Sequence, residues 1–207
     1  MRVWDIHPGF LNRQSLLGEH REIHAIHTVL CQGKKGYSRH PETIRWRDHL
    51  ASLWLRHQQV VAEIRLRGFH HFSPLPTPLD EIIWPSTFID APGRQFELLT
   101  AKYSQKEQGR IALPKSVSEL LGSHVLSLIS RERMLADTGP DMPEYFAETA
   151  EALVQLLRRP PTEKGMVKAL EILGVNHQDK TDLLAFARKE VGRGNQATVL
   201  SELLLWP

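Results

Sequence analysis

Apolar residues recur along the chain at roughly helical spacing, and the runs they form predict an all-α protein. Between about Gln14 and Cys31 the residues Leu16, Leu17, Ile23, Ile26, Val29 and Leu30 follow this spacing, interrupted by Gly18 and closed by Gln32-Gly33, which predicts the first helix. From about Thr43 to Arg67 a wide apolar stripe of Trp46, Leu50, Leu53, Trp54, Val60, Val61 and Ile64 predicts a second helix that Gly68 ends. Its tryptophans share the stripe with the leucines and read as core, which leaves Arg45, Arg56 and Arg67 for the other side. Prolines at 74, 76, 78 and 85 make 74–85 a long irregular connection that continues neither neighbouring helix. A third helix is predicted from about Gly93 to Glu107, where Phe96, Leu98, Leu99 and Tyr103 form the apolar face. Lys102 and Lys106, four apart, are expected on its polar face, directed at one ligand.

Beyond Leu113-Pro114 the pattern changes to shorter helices. Ser116-Val117-Ser118-Glu119 and Asp141-Met142-Pro143-Glu144 both carry the capping-box pattern, and each opens an amphipathic run, to about Ala136 and Arg158. Runs near 163–173, 180–191 and 196–205 predict three more, separated by Gly174 and Gly192. This change divides the chain into residues 1–112 and a helical extension, 113–207, expected to pack on the first part or to bind a protein partner. The string Gly109-Arg110-Ile111-Ala112-Leu113-Pro114-Lys115 also resembles swapped-hairpin DNA-binding transcription factors.

Composition narrows the class. With 207 residues, 41% hydrophobic and 24% charged, the chain reads as a globular protein of one or two domains with ample core. A single cysteine, Cys31, excludes an intrachain disulfide framework and a zinc-binding Cys pair. No apolar stretch approaches the ~20 residues of a membrane span, and the first residues lack a continuous apolar signal core. A cytoplasmic location and no membrane contact are expected. The net charge of +2 is unevenly distributed: residues 1–72 hold 11 Lys/Arg against 6 Asp/Glu, and residues 73–207 hold 15 against 18. Nine of the eleven histidines also fall in 1–72. A polyanion would meet the first part of the chain.

The chain end carries candidate chemistry. A free α-amino group titrates near pH ~7.7 to 8.0, so a useful neutral, nucleophilic fraction exists where a lysine would be protonated. Arg2 is too large for removal of the preceding Met, so the amine is expected on Met1, with the Arg2 cation suited to an anionic substrate. Arg2 to His7 has no helical period and is followed by Pro8-Gly9, a turn pair. This arm is short enough to fold back and bring the Met1 amine near Glu22. The polar loop Lys34 to Thr43, with Tyr37 among its charges, suits a phosphate backbone.

Met1-Arg2, the Gln14 to Ile23 segment with Glu19-His20-Arg21-Glu22, the helix closing in Leu66-Arg67-Gly68-Phe69, and the Pro92 to Lys106 segment together resemble the pyrimidine-dimer DNA glycosylase family of the phage endonuclease V type. The resemblance covers about residues 1–112. It implies an all-helical fold and a DNA glycosylase with abasic-site lyase activity on ultraviolet-induced pyrimidine dimers. On that resemblance Met1 supplies the nucleophilic α-amine and Glu22 the essential carboxylate. Arg2, Gln14, Arg21, Lys102 and Lys106 fall where the family grips DNA, so the implied partner is double-stranded DNA containing damaged bases. No metal or other cofactor is implied. Two positions depart from the pattern: phage members expose a threonine where Met1 stands, and a basic position three residues after the carboxylate is Ala25 here.

Two readings from other classes stand beside it. His20, His24 and His27 at i, i+4 and i+7, close to Glu19, have a spacing that could hold a divalent metal for hydrolysis. A basic helical module that binds DNA or protein without catalysis is the other.

Overall fold

The computed structural model describes residues 1–78, 80–133, 145–174 and 182–206, and these form nine α-helices and no strand. The arm at residues 1–7 ends in a 3-10 turn, Pro8–Phe10. Helix α1 spans Arg13–Gln32, opened by the Asn12 side chain on Ser15 N–H and closed by Gly33 in the left-handed conformation, φ +61°. Then come α2 (Pro41–Arg45), α3 (Leu50–Leu66) and α4 (Pro92–Tyr103). The second part holds α5 (Val117–Ile129), α6 (Phe146–Leu157), α7 (Glu163–Ile172), α8 (Leu183–Gly192) and the short α9 (Val199–Glu202).

Two helices differ from their predicted extents for physical reasons. The stripe from Trp46 to Ile64 keeps helical spacing, yet the backbone unwinds at 46–49 between α2 and α3. Trp46 is fully buried, its indole N–H donates to Glu42 at 2.9 Å, and tight turns close Arg47 on Ile44 and His49 on Trp46. The expected Gly93–Glu107 helix stops at Tyr103, whose hydroxyl accepts from Asn12 N–H at the start of α1. Lys106 therefore lies beyond the helix, and the expected four-residue pairing with Lys102 on one helical face does not form.

In the second part, Ser116 caps α5 by accepting from Glu119 N–H, while the Glu119 carboxylate accepts from Lys115 N–H, so the capping pattern at 116–119 forms with its return bond one residue before the cap. The second such pattern, at 141–144, the expected helix end near Ala136 and the expected helix start near 180 lie outside the described residues. The run at 196–205 yields only the four residues of α9 as α-helix. The 109–115 string is not a hairpin strand. Gly109 is required because a Cβ there would meet the Phe10 carbonyl at 2.4 Å, Arg110 is committed to Glu63, and Ile111 is core.

The core ignores the boundary at 112. One apolar cluster joins Trp4, Phe10, Leu53, Val60 and Phe96 to Leu120, Leu128, Leu153 and Val154. A second gathers Met166, Leu170, Ala187, Leu200 and Leu203 around Leu66 at the end of α3. Helix α4 packs on α6, and α3 on α8 and α9. Polar bonds cross too: Arg158 reaches Asp5 at 3.0 Å, and the Ser201 hydroxyl meets His7 Nε2 at 3.0 Å.

Candidate active site

Burial of Val3, Trp4 and Ile6 fixes the arm against the core. Trp4 N–H donates to Glu19 Oε1 at 3.1 Å and Asp5 N–H to Gln95 Oε1 at 2.8 Å, so α1 and α4 hold the arm from two sides. The arm's start then lies at an open cleft lined by Met1, Arg2, Gln14, Gly18, Glu22, Leu98 and Lys102. Five residues singled out in the sequence, Met1, Arg2, Gln14, Glu22 and Lys102, thus meet in one place from three stretches of chain.

Two carboxylates of α1 face this cleft and differ in kind. Glu19 is 2% exposed and accepts from Arg56 at 2.8 and 3.2 Å as well as from Trp4 N–H. Burial pushes its carboxyl up, partly offset by Arg56. Glu22, one turn on, is half-buried and has no hydrogen bond or ion pair among the described residues. The free carboxylate of the cleft is Glu22.

The cations are arranged unequally. Arg2 pairs with Asp90 at 2.7 Å and its guanidinium lies 4.8 Å from the Trp4 ring centre, so its charge is shared rather than freely presented. Lys102 Nζ donates to Ser15 Oγ at 2.9 Å. Partial burial lowers its pKa, with Lys106 and Arg2 pushing the same way, which puts those two cations within electrostatic reach. Lys106 does not line the cleft; neither does Arg21, which is exposed and bonds back to the Leu17 carbonyl. Gln14 is exposed at the mouth.

Arg45, Arg56 and Arg67, expected on an outer face, are instead consumed inside. Arg45 binds Glu42 at 2.9 Å and also Asp5; Arg56 binds Glu19; Arg67 binds Glu63 at 2.8 Å. Four of the six acids before residue 73 are thereby buried in pairs, leaving Glu22 and Asp48, against seven exposed cations: Arg13, Arg21, Lys34, Lys35, Arg39, Arg47 and Arg65. The surface of this region keeps the excess of five positive charges that its composition has, but carries it with two acids rather than six.

The histidines regroup. His27 faces Cys31 Sγ at 3.5 Å, whereas His20 and His24 converge with His57 of α3 and His71 beyond it. Burial and mutual repulsion hold His57 down at about 3 and His20 at about 4, so both are uncharged near neutral pH. The i, i+4 spacing found half of this group; His57 and His71 needed the fold.

Among the described residues, Met1, the unpartnered Glu22 carboxylate and two cations, Arg2 and Lys102, thus meet at one cleft between helices. Residues 1–77 match the family model described as pyrimidine dimer DNA glycosylase, in line with the resemblance read from the residues. Lys102 and Lys106 lie beyond the matched segment. No curated protein and no solved structure gives a significant match. None of the described helices is long and apolar enough to cross a membrane.

Proposed function

We propose that the protein is a pyrimidine-dimer DNA glycosylase and abasic-site lyase in which the α-amine of Met1 is the nucleophile and Glu22 the catalytic carboxylate. The observation that carries this reading is the meeting of Met1 with Glu22, the unpartnered carboxylate, in one cleft. The neutral amine attacks C1′ of the damaged nucleotide; the nitrogen–carbon bond forms as the glycosidic bond breaks, and the departing base takes a proton. The C1′–O4′ bond then breaks as the nitrogen forms its double bond to C1′, the amine losing a proton and the ring oxygen gaining one. The resulting imine makes the C2′ proton acidic. Its removal expels the 3′ phosphate by β-elimination and nicks the strand. Glu22 stabilises the cationic sugar in the first stage and moves protons in the second. Water then hydrolyses the imine and frees the enzyme.

Because C1′ is enclosed in a duplex, the protein has to kink DNA or extrude a nucleotide. Arg2, Gln14 and Lys102 at the cleft, with Arg21 and Lys106 outside it, are the proposed DNA contacts. The loop carrying Lys34, Lys35 and Arg39, with Tyr37 69% exposed, extends the basic surface. The partner is duplex DNA containing damaged bases. A cytoplasmic, nucleoid-associated location follows from that substrate. Residues 1–112 hold every assigned site residue, and residues 113–207 support the arm through Arg158 and Ser201.

The test is incubation of the full chain with ultraviolet-irradiated duplex and borohydride. A covalent protein–DNA adduct, formed also in excess chelator, is expected. Strand cleavage without an adduct, lost on chelation and restored by zinc, would transfer the function to the metal-hydrolase reading. Binding without cleavage or adduct would leave a non-catalytic module.

A further inference from the structure

Four imidazoles from three stretches of chain converge at a point that the proposed chemistry does not use. His20 and His24 stand one turn apart on α1, His57 belongs to α3, and His71 lies in the segment that follows α3. His20 Nε2 is 3.0 Å from His71 Nε2 and 3.2 Å from His57 Nε2, which is itself 3.2 Å from His24 Nε2. One ligating nitrogen from each ring lies within 4.8 Å of all the others.

Hydrogen bonding accounts poorly for this arrangement. A ring nitrogen of a neutral imidazole offers either one N–H or one lone pair. The Nε2 atoms of His20 and His57 each face two other nitrogens, so one proton or lone pair would have to serve two neighbours at once. A cation at the centre resolves the conflict by receiving four lone pairs. Zinc–nitrogen bonds of about 2.0–2.1 Å in a tetrahedron place the nitrogens about 3.4 Å apart. The three close contacts, at 3.0 to 3.2 Å, are a few tenths of an ångström from that edge.

We infer that His20, His24, His57 and His71 form a site for one divalent first-row cation of the zinc class. Imidazole donors without a carboxylate suit zinc, cobalt, nickel or copper rather than magnesium or calcium. Four protein ligands fill a tetrahedral shell, so the ion has no open position for a hydrolytic water and acts as a clamp. A neighbour helps to orient one of the rings: the Gln58 side-chain amide lies 3.3 Å from His57 Nδ1. The clamp would tie α1, α3 and the segment after α3 together. Its ligands adjoin Glu19 and Arg56, the buried pair that holds the arm through Trp4.

The full chain, stripped of metal by chelator and dialysed, is titrated with Zn²⁺ by calorimetry and with Co²⁺ by visible absorption. One Zn²⁺ per chain, an intense tetrahedral Co²⁺ spectrum abolished by Zn²⁺, and a rise in unfolding temperature are expected. Since losing even outer-shell partners of a metal ligand costs about 10–100-fold, His71→Ala and His24→Ala should each weaken Zn²⁺ binding at least about 100-fold. His27→Ala should bind like the parent. Circular dichroism verifies the fold of each variant, and the two half-exposed positions carry the test if His57→Ala fails to fold. A folded parent that takes up no Zn²⁺, an octahedral Co²⁺ spectrum, or parental affinity in His71→Ala and His24→Ala would overturn the site.

Discussion

Glu19 and Glu22 stand one turn apart on the same helix and line the same cleft, yet they belong to different regions of the molecule. Glu19 faces a buried sector in which acids and arginines saturate one another: Asp5 with Arg45 and Arg158, Glu19 with Arg56, Glu63 with Arg67 and Arg110. Glu22 faces the open side, where Met1, Gln14 and Lys102 gather and where the carboxylate has no described partner. A carboxylate saturated by an arginine is fixed in its role, whereas an unpartnered one beside an amine is available to a substrate. The comparison separates the charges that hold the arm in place from those that the arm presents.

Removing the support of the buried sector should have the largest effect. A chain ending at Leu113 retains every assigned site residue but uncovers Leu66 and the side of α3 that packs on α8 and α9, and deprives Asp5 of Arg158. Cooperative unfolding measured by circular dichroism should be lost or greatly weakened. A truncated chain that unfolds cooperatively and is still trapped on damaged DNA would establish 1–112 as an independent domain.

Next come the two carboxylates themselves. Glu22→Gln should reduce cleavage by about 10²–10⁴-fold, the range of positioned acid–base groups, with lesion binding kept. Its stability should stay within about 0.5 kcal/mol of the parent, as for surface changes without partners. Glu19→Gln should do the converse, costing about 3–5 kcal/mol in denaturant unfolding because Arg56 is left buried and unpaired. Equal stability losses in both variants would erase the distinction.

Glu63 sharpens the comparison through pH. Burial would raise its carboxyl, but Arg110 and Arg67 outweigh burial and hold it at about 2, below its ordinary 4.5. Its contribution is therefore complete above about pH 4.5 and is lost as pH falls toward 2. Unfolding free energy of the parent should fall through that window more steeply than that of Glu63→Gln; parallel curves would remove Glu63 from the acid transition. The smallest effect concerns the outer surface. Arg21→Ala should weaken DNA binding modestly and reduce the slope of log affinity against log salt by about 0.9, one phosphate contact. An unchanged slope would exclude it as such a contact.

What was legible in the sequence follows from the range of the interactions. Helix α1 emerged from its own apolar spacing and from Gly33, and the fate of the arm from Pro8-Gly9, all within one stretch of chain. The resemblance placed Met1, Arg2, Gln14, Glu22 and Lys102, which the fold brings to one cleft, whereas Arg21 and Lys106 lie outside it. Periodicity cannot distinguish an arginine on an outer face from one paired inside, and Arg45 and Arg56 were misplaced for that reason. Arg56 meets its partner 37 residues away, and Arg45 reaches Asp5, 40 residues away, besides the nearby Glu42. The same limit hid His57 and His71 from His20 and His24. The unwinding at 46–49 escaped because Trp46 and Leu50 keep the interval of a helix while the indole is committed to Glu42.

The position of the covalent bond tests the central claim most directly. After borohydride trapping of the full chain on ultraviolet-irradiated duplex, the adduct is digested with nuclease and protease and the modified peptide is located by mass spectrometry. The expected modification lies on the α-amine of Met1. Modification of Lys102 Nζ, the other amine lining the cleft, or of any other lysine would contradict the account.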